Sequence, residues 1–176
     1  PTGDPLNAAS WTQHVFTTGW PHDVGVRIID VDKDGKNDIV LAPSESSSGK
    51  FAWYKGLSDP TTNNWAETII DSSVSYIHTF PAVDLDNDGD IDFVTAEMHQ
   101  SANPDEVGYY LNSNNGSTWT QAVIDTEGSH NIRAGDIDGD GDLDIFGANW
   151  SDAAPDSAVI KWWENTSTPA SKFDLW

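Results

Sequence analysis

The sequence contains no cysteine and few basic residues. Disulfide bonds and thiolate metal sites are therefore excluded. The 176 residues include 8 Lys and Arg against 29 Asp and Glu, which gives a formal net charge of −21. Because nucleic acid binding requires a basic surface, no nucleic acid partner is expected, and an anionic membrane surface is disfavoured for the same reason. No apolar run approaches the length that crosses a bilayer, so no membrane insertion is expected.

Motifs of nucleophilic catalysis are also lacking. The chain has no Gly-x-Ser-x-Gly, no phosphate-binding loop and no cysteine nucleophile. Carboxylates abound, but many of them lie in three loops where metal binding accounts for them. The sequence therefore favours a protein that is not an enzyme.

Three acidic loops follow one pattern, Asp-x-Asp-x-Asp-Gly-x-x-Asp, in residues 30–38, 84–92 and 136–144. Four carboxylates so close together repel one another, and a hard divalent cation relieves that repulsion. Carboxylates at positions 1, 3, 5 and 9, with a backbone carbonyl at position 7, supply the oxygen ligands that calcium prefers. Glycine at position 6 permits the sharp turn that wraps the chain around the ion. The sequence therefore predicts three Ca²⁺ sites.

The predicted ligands fall in three sets of five, with the residue at position 7 contributing its backbone carbonyl. They are Asp30, Asp32, Asp34, Lys36 and Asp38; Asp84, Asp86, Asp88, Asp90 and Asp92; and Asp136, Asp138, Asp140, Asp142 and Asp144. Magnesium is less suitable because it demands rigid octahedral geometry, and zinc because the loops offer no Cys or His. An EF-hand is not expected, because position 12 is Leu41, Thr95 or Gly147 rather than Glu, and the flanks favour strands.

A longer repeat surrounds each loop. A segment led by Trp precedes it (residues 11–16, 65–70 and 119–124), followed by a His (His22, His78 and His130). Short strands enter and leave the loop, and a strand with an aromatic pair ends the repeat. Four antiparallel strands in a repeat of about fifty residues describe a propeller blade. The fold prediction is all-β, with three four-stranded antiparallel blades.

The chain resembles the FG-GAP or VCBS type of repeat, on the pattern of a His, the acidic loop and then an aromatic-rich strand. The resemblance implies β-propeller blades with calcium between the first two strands of each blade. It also implies an incomplete propeller, because such rings typically close with about seven blades. It says little about function, since members include adhesion receptors, lectins and parts of polysaccharide-degrading enzymes.

We expect a single repeat domain over residues 1–176, with blades at approximately 17–70, 71–124 and 125–176. By analogy with the family, residues 11–16 are the orphan outer strand of a preceding blade. The third blade ends after its third strand near Asn165, and only residues 172–176 could supply a short fourth strand. Open strand edges favour pairing. Either the chain is an excerpt of a longer propeller, or copies complete one another head-to-tail as a ring or filament.

The face opposite the calcium loops collects the residues that could bind a ligand. They are His22, His78, His99, His130, Arg133, Asn149 and Trp150, with Arg27 and Glu97 nearby. Aromatic and polar groups together suit a sugar, and His with Arg could also catalyse β-elimination from a uronic-acid polymer. A structural role for the repeated His, bonding across blade turns, is the favoured interpretation, because chemistry rarely needs one copy per repeat.

These observations predict an extracellular or cell-surface module that is stabilised by calcium and has a structural or adhesive role. Its expected partners are a glycan or a protein, and other copies of itself. The alternative is part of a propeller-type carbohydrate-active enzyme such as a polysaccharide lyase.

Overall fold

The computed structural model describes residues 4–21, 23–102, 104–149 and 159–167. Within these ranges the chain forms eleven strands and one 3₁₀ turn, Ala8–Ser10. The strands are β1 Val24–Ile29, β2 Asp38–Pro43, β3 Gly49–Tyr54, β4 Glu67–Val74, β5 Ala82–Val83, β6 Asp92–Ala96, β7 Val107–Ser113, β8 Thr118–Asp125, β9 Asn131–Gly135, β10 Asp144–Ala148 and β11 Ile160–Trp163. No described helix is long and apolar enough to span a membrane.

The strands form three antiparallel sheets in chain order, which confirms the all-β prediction. The first sheet is β1-β2-β3-β4, the second β5-β6-β7-β8 and the third β9-β10-β11. Each acidic loop joins the first two strands of its sheet, and the segment that begins near Trp65 or Trp119 supplies the fourth strand. We refer to the three sheets as blades 1, 2 and 3.

Blades 1 and 2 enclose a core built on aromatic rings. Phe51 is fully buried, and its ring centroid lies 5.2 Å from those of Phe80 and Phe93 and 5.5 Å from that of Tyr110. Val40 and Trp53 pair across β2 and β3 on the same core. Each large apolar side chain buried here contributes about 1.5–3 kcal/mol.

The β7–β8 turn seals the calcium end of this interface. The side chain of Asn112 donates to the carbonyl of Val31 (3.3 Å) and accepts from the N–H of Gly116 (2.7 Å). Gly116 has φ of 80°, and a Cβ there would lie 2.9 Å from the Trp53 ring. The indoles of Trp53 and Trp119 both donate to the Gly116 carbonyl. Only glycine suits both the left-handed backbone and this close approach.

Blades 2 and 3 pack through a second core of aliphatic side chains. Val94 and Val107 from blade 2 contact Ile132 and Ile145 from blade 3. The two cores use the same positions of the repeat. Val40, Val94 and Phe146 each pair with an aromatic residue on the third strand, namely Trp53, Tyr109 and Trp162. Among the described residues, no further blade covers the third of these pairs.

The outer faces of the terminal blades therefore expose residues whose counterparts are buried. On blade 3, Phe146 and Trp162 are 41% and 44% exposed. On blade 1, Val26 is 48% exposed, whereas Phe80 and Ile132, which also stand four residues before the first loop aspartate, are fully buried. These two faces have the composition of the internal blade interfaces.

The N-terminal segment departs from the expected strand. Residues 11–16 form no strand in the single chain. Trp11 and Val15 are exposed, whereas the Phe16 ring packs 5.4 Å from both Tyr54 and Trp65. Trp20 then donates its indole N–H to the Tyr54 hydroxyl (2.8 Å). The segment thus covers part of blade 1. A strand at 11–16 would need the edge of another blade as its partner, so that pairing stays a prediction.

Candidate calcium centres and the opposite face

Each acidic loop brings the carboxylates at positions 1, 3 and 9 together. In every loop one oxygen from each of these three residues lies within 4.8 Å of the other two. The triads are Asp30, Asp32 and Asp38; Asp84, Asp86 and Asp92; and Asp136, Asp138 and Asp144. Three oxygens at this separation can share one cation.

The loop backbone curls in the same way three times. Gly35, Gly89 and Gly141 have φ of 85°, 89° and 99°. The N–H of each donates to the position 1 carboxylate, at 2.9, 3.0 and 3.2 Å. This bond holds one oxygen of the first aspartate inside the loop, and the positive φ accounts for glycine at position 6.

The aspartate at position 9 clamps two parts of its blade. Asp38 accepts from the N–H of Val31 (2.8 Å) and of Gly56 (2.6 Å). Asp92 accepts from Leu85 and Asn112, both at 2.8 Å, and Asp144 from Ile137 and Asn165, both at 2.9 Å. The first donor lies in the same loop. The second lies near the end of the third strand in blade 2 (Asn112) and just after the third strand in blades 1 and 3 (Gly56 and Asn165). The sequence predicted a ligand here and missed the clamp.

Burial makes two of the position 9 carboxylates, Asp38 and Asp92, hard to charge without a cation. Burial raises the pKa of Asp92 to about 6, and repulsion from Asp86 and Asp88 adds to the rise. The pKa values of Asp38 and Asp86 are also raised, chiefly by burial. A bound divalent ion favours the charged form of each group.

Unpartnered oxygens indicate that a cation fits. Oδ1 of Asp84 and both carboxylate oxygens of Asp142 are buried and have no hydrogen-bond partner among the described residues. Asp142 stands at position 7 and is 1% exposed. Burying a carboxylate without partners is costly, so these oxygens favour a cation in the second and third loops. The donor set, all carboxylate oxygen, suits Ca²⁺.

The aspartates at position 5 lie outside the triads. Asp34, Asp88 and Asp140 each accept a hydrogen bond from the backbone N–H of position 7, at 3.0, 2.7 and 3.1 Å. One oxygen of each thus shapes the turn. Their predicted role as ligands, and that of the position 7 carbonyls, stays a prediction.

Lysines approach the first two loops, which the sequence reasoning missed. Lys55, just after β3, forms ion pairs with Asp32 and with Asp34 (2.9 Å). Lys36 pairs with Asp34 (2.8 Å). Lys33 of the first loop reaches across to Asp90 of the second. No described lysine contacts the third loop. The three acidic sites therefore differ in their built-in counter-charge.

The face opposite the loops brings the predicted histidines together. The imidazoles of His78 and His130 lie 4.3 Å apart between centroids, and His78 Nε2 is 3.7 Å from the Glu45 carboxylate. Burial lowers the pKa of His130, and His78 and His99 lower it further. The backbone N–H of Asn149 donates to the Val159 carbonyl (3.1 Å). His22 and Trp150 lie outside the described residues.

Glu97 anchors a polar cavity next to this histidine group. One of its oxygens accepts from the backbone and hydroxyl of Ser75, and the other from the hydroxyl of Ser101. The cavity has a volume of about 420 Å³ and also holds Tyr110, whose hydroxyl donates to Asp71 (2.8 Å). Glu97 thus has a structural role that the sequence did not reveal.

Antiparallel blades with an acidic loop between their first two strands define a repeat protein of the β-propeller type, with carboxylate triads that could hold metal ions. A family model described as "FG-GAP-like repeat" matches residues 30–95 and 84–147. The chain belongs to this family, as its resemblance predicted. A search of curated proteins found no match.

Proposed function

We propose that this chain is an extracellular, calcium-stabilised β-propeller module with a structural or adhesive role. The observation that carries the proposal is the repeated triad of loop carboxylates, with oxygens within 4.8 Å of one another. The aspartates at positions 1, 3 and 9 of each loop would hold the ions, beginning with Asp30, Asp84 and Asp136. Calcium would neutralise the negative charge that converges there. Weak oxygen sites of this kind fit the extracellular space, where modules bind calcium at about 0.1–1 mM.

Thermal denaturation with and without a chelator tests the calcium role. A ligand that binds only the native state stabilises it by mass action. Excess chelator should lower the melting temperature by roughly 10 °C or more, and calcium should restore it far better than an equal concentration of magnesium. An unchanged melting curve in chelator would overturn the proposal.

The proposed ligand of the opposite face is a glycan or a protein. His78, His130 and Arg133 offer ring surfaces and hydrogen-bond donors there. A glycan array probed with the calcium-loaded chain should give weak binding that His78→Ala reduces. The matched control is His14→Ala, in an exposed position of the N-terminal segment. An array without binding would remove the glycan and leave a protein partner.

We also propose head-to-tail association of copies. The exposed Phe146 and Trp162 of blade 3 match the buried pair Val40 and Trp53 of blade 1. Val26 of blade 1 matches buried Phe80. Residues 11–16 of one copy would add a strand beside β11 of the next, burying Trp11 and Val15. Two copies would give a six-bladed ring, and an open rotation a filament.

Sedimentation in calcium tests this association. The intact chain should exceed monomer mass at micromolar concentration, and both Phe146→Glu and removal of residues 1–15 should yield monomers. Leu6→Glu introduces the same charge at a position that is 93% exposed and lies outside residues 11–16, so it should have no effect. A sharp monomer mass for the intact chain would contradict the proposal.

A carbohydrate-active enzyme is the second candidate, because His78, His130 and Glu45 lie together on the same face. Unsaturated products released from a uronic-acid polymer, and their loss in His130→Ala, would favour it over a binding module.

A further inference from the structure

The two arginines of this acidic chain occupy one position of the repeat. Arg27 on β1 and Arg133 on β9 each stand three residues before the first loop aspartate, and blade 2 has Pro81 there. Both strands are edge strands of their sheets. The repeat thus places two guanidinium groups on the first strands of blades 1 and 3, with a neutral residue between them.

Thr79 and Phe80, just before β5, contact both of these strands. The Phe80 ring lies under Arg27, whose guanidinium carbon is 4.8 Å from the ring centroid. The neighbouring hydroxyl of Thr79 accepts from the backbone N–H of Ile132, beside Arg133 (2.9 Å). Burial lowers the pKa of Arg27, and the charge of Arg133 lowers it further. Thr79 and Phe80 therefore connect the Arg27 side chain with the backbone beside Arg133.

Neither arginine has an acidic partner among the described residues. All five described lysines form ion pairs with carboxylates, namely Lys33, Lys36, Lys50, Lys55 and Lys161. Arg27 and Arg133 instead donate one N–H each to a neighbouring carbonyl, that of Val26 (2.9 Å) and that of Ile132 (2.7 Å). Their other guanidinium N–H groups have no described acceptor. In a chain of net charge −21, two close unpaired cations leave a local excess of positive charge.

We propose that Arg27 and Arg133 form a binding site for a single carboxylate group of a ligand. The planar guanidinium group can form two parallel hydrogen bonds to a carboxylate. The guanidinium N–H groups without a described acceptor on β1 and β9 would supply these donors. A polyanion is disfavoured. Its charges beyond the screening length of about 8–10 Å from the two arginines would meet the acidic surface, which repels them. This site restricts the ligand of the proposed binding module to molecules that carry a carboxylate group, and it rests on that proposal.

Calorimetric titration of the calcium-loaded chain with sodium glucuronate tests the site, with glucose as the neutral probe. Glucuronate should bind, glucose should not, and Arg133→Gln should weaken glucuronate binding about tenfold, the loss expected for a charged hydrogen bond. Lys161→Gln removes a paired charge and should leave binding unchanged. Arg133 is exposed, so its variant should keep the wild-type melting temperature; Arg133→Lys should restore part of the affinity.

Two further probes identify the source of the carboxylate. A clearly higher affinity for glucuronate than for acetate and N-acetylglutamate amide would support an acidic sugar as the ligand. A higher affinity for N-acetylglutamate amide than for glucuronate would support an acidic peptide. Glucuronate binding that survives Arg133→Gln but is lost in chelator would assign the carboxylate to the loop calcium and overturn the site. Neutral glycan binding without glucuronate binding would overturn it while leaving the binding module intact.

Discussion

The ammonium group of Lys55 forms ion pairs with the carboxylates of Asp32 and Asp34, inside the loop where a calcium ion is expected. Calcium must displace this ammonium before it can use Asp32. The second loop is approached by Lys33 alone, at Asp90, and the third loop by no described lysine. The three sites should therefore fill in sequence, the third loop first and the first loop last.

Replacing Lys55 tests this order. Lys55→Gln should raise the calcium affinity of the weakest site by roughly two- to fivefold, the range of a partly exposed ion pair. It should also lower the melting temperature in chelator, because Asp32 and Asp34 lose their counter-charge. Calorimetric titration measures the first effect. Lys50→Gln is the control, since Lys50 pairs with Glu67 on β4. Equal affinities in both variants would show that Lys55 does not compete.

The clamp at position 9 should separate two roles of the loop aspartates. Asp144→Ala removes two hydrogen bonds to a buried carboxylate and should cost about 3–5 kcal/mol even in chelator. In calcium the loss should be larger, because Asp144 is also one of the three triad carboxylates. Asp138→Ala, at position 3 of the same loop, should cost much less in chelator and approach the same loss only in calcium. Urea denaturation in both conditions measures the difference. Equal losses in chelator would show that the clamp adds nothing beyond metal binding.

The aromatic core between blades 1 and 2 should dominate stability. Phe51→Ala should lower the free energy of unfolding by about 3–5 kcal/mol, because the cavity at a fully buried ring cannot collapse. Ile160→Ala, on the exposed face of blade 3, should change it by less than about 0.5 kcal/mol in the monomer. A small loss for Phe51→Ala would indicate that the two blades fold without this contact.

The histidine pair should make stability depend on pH. The pKa of His130 is lowered in the folded chain by burial, His78 and His99, and raised in part by Glu45. The unfolded chain therefore binds more protons just below pH 6.5, so stability is complete above this pH and falls as the pH drops through it. Melting temperatures from about pH 7.5 to about pH 5.5 measure the slope. His130→Gln should reduce it, and His14→Gln should not.

Local pattern predicted most of the fold. The signals were acidic loops with Gly at position 6, alternating strands and paired aromatics such as Phe51 to Tyr54. They predicted the four strands of blades 1 and 2 and the three described strands of blade 3, because they depend on neighbours in sequence. The triads of positions 1, 3 and 9 lay within the predicted ligand sets for the same reason.

Contacts between distant residues could not be predicted in this way. Lys33 meets Asp90 and His78 meets His130 only once the blades have packed. The clamp of Asp92 on Asn112 spans 20 residues and gives no periodic signal. Residues 11–16 have the alternating pattern of a strand, but a strand needs a partner edge. In the single chain they form no strand, and Phe16 packs on Tyr54 of blade 1 instead.

The clamps also have a mechanical consequence. The position 9 aspartates Asp38, Asp92 and Asp144 each tie the loop after a blade's first strand to the backbone at or just beyond the end of its third strand. A pull that peels the fourth strand from the sheet is transmitted through these bonds to the calcium-binding loop. An ion there would resist the pull, so the force needed to unravel a four-stranded blade should rise with the calcium concentration.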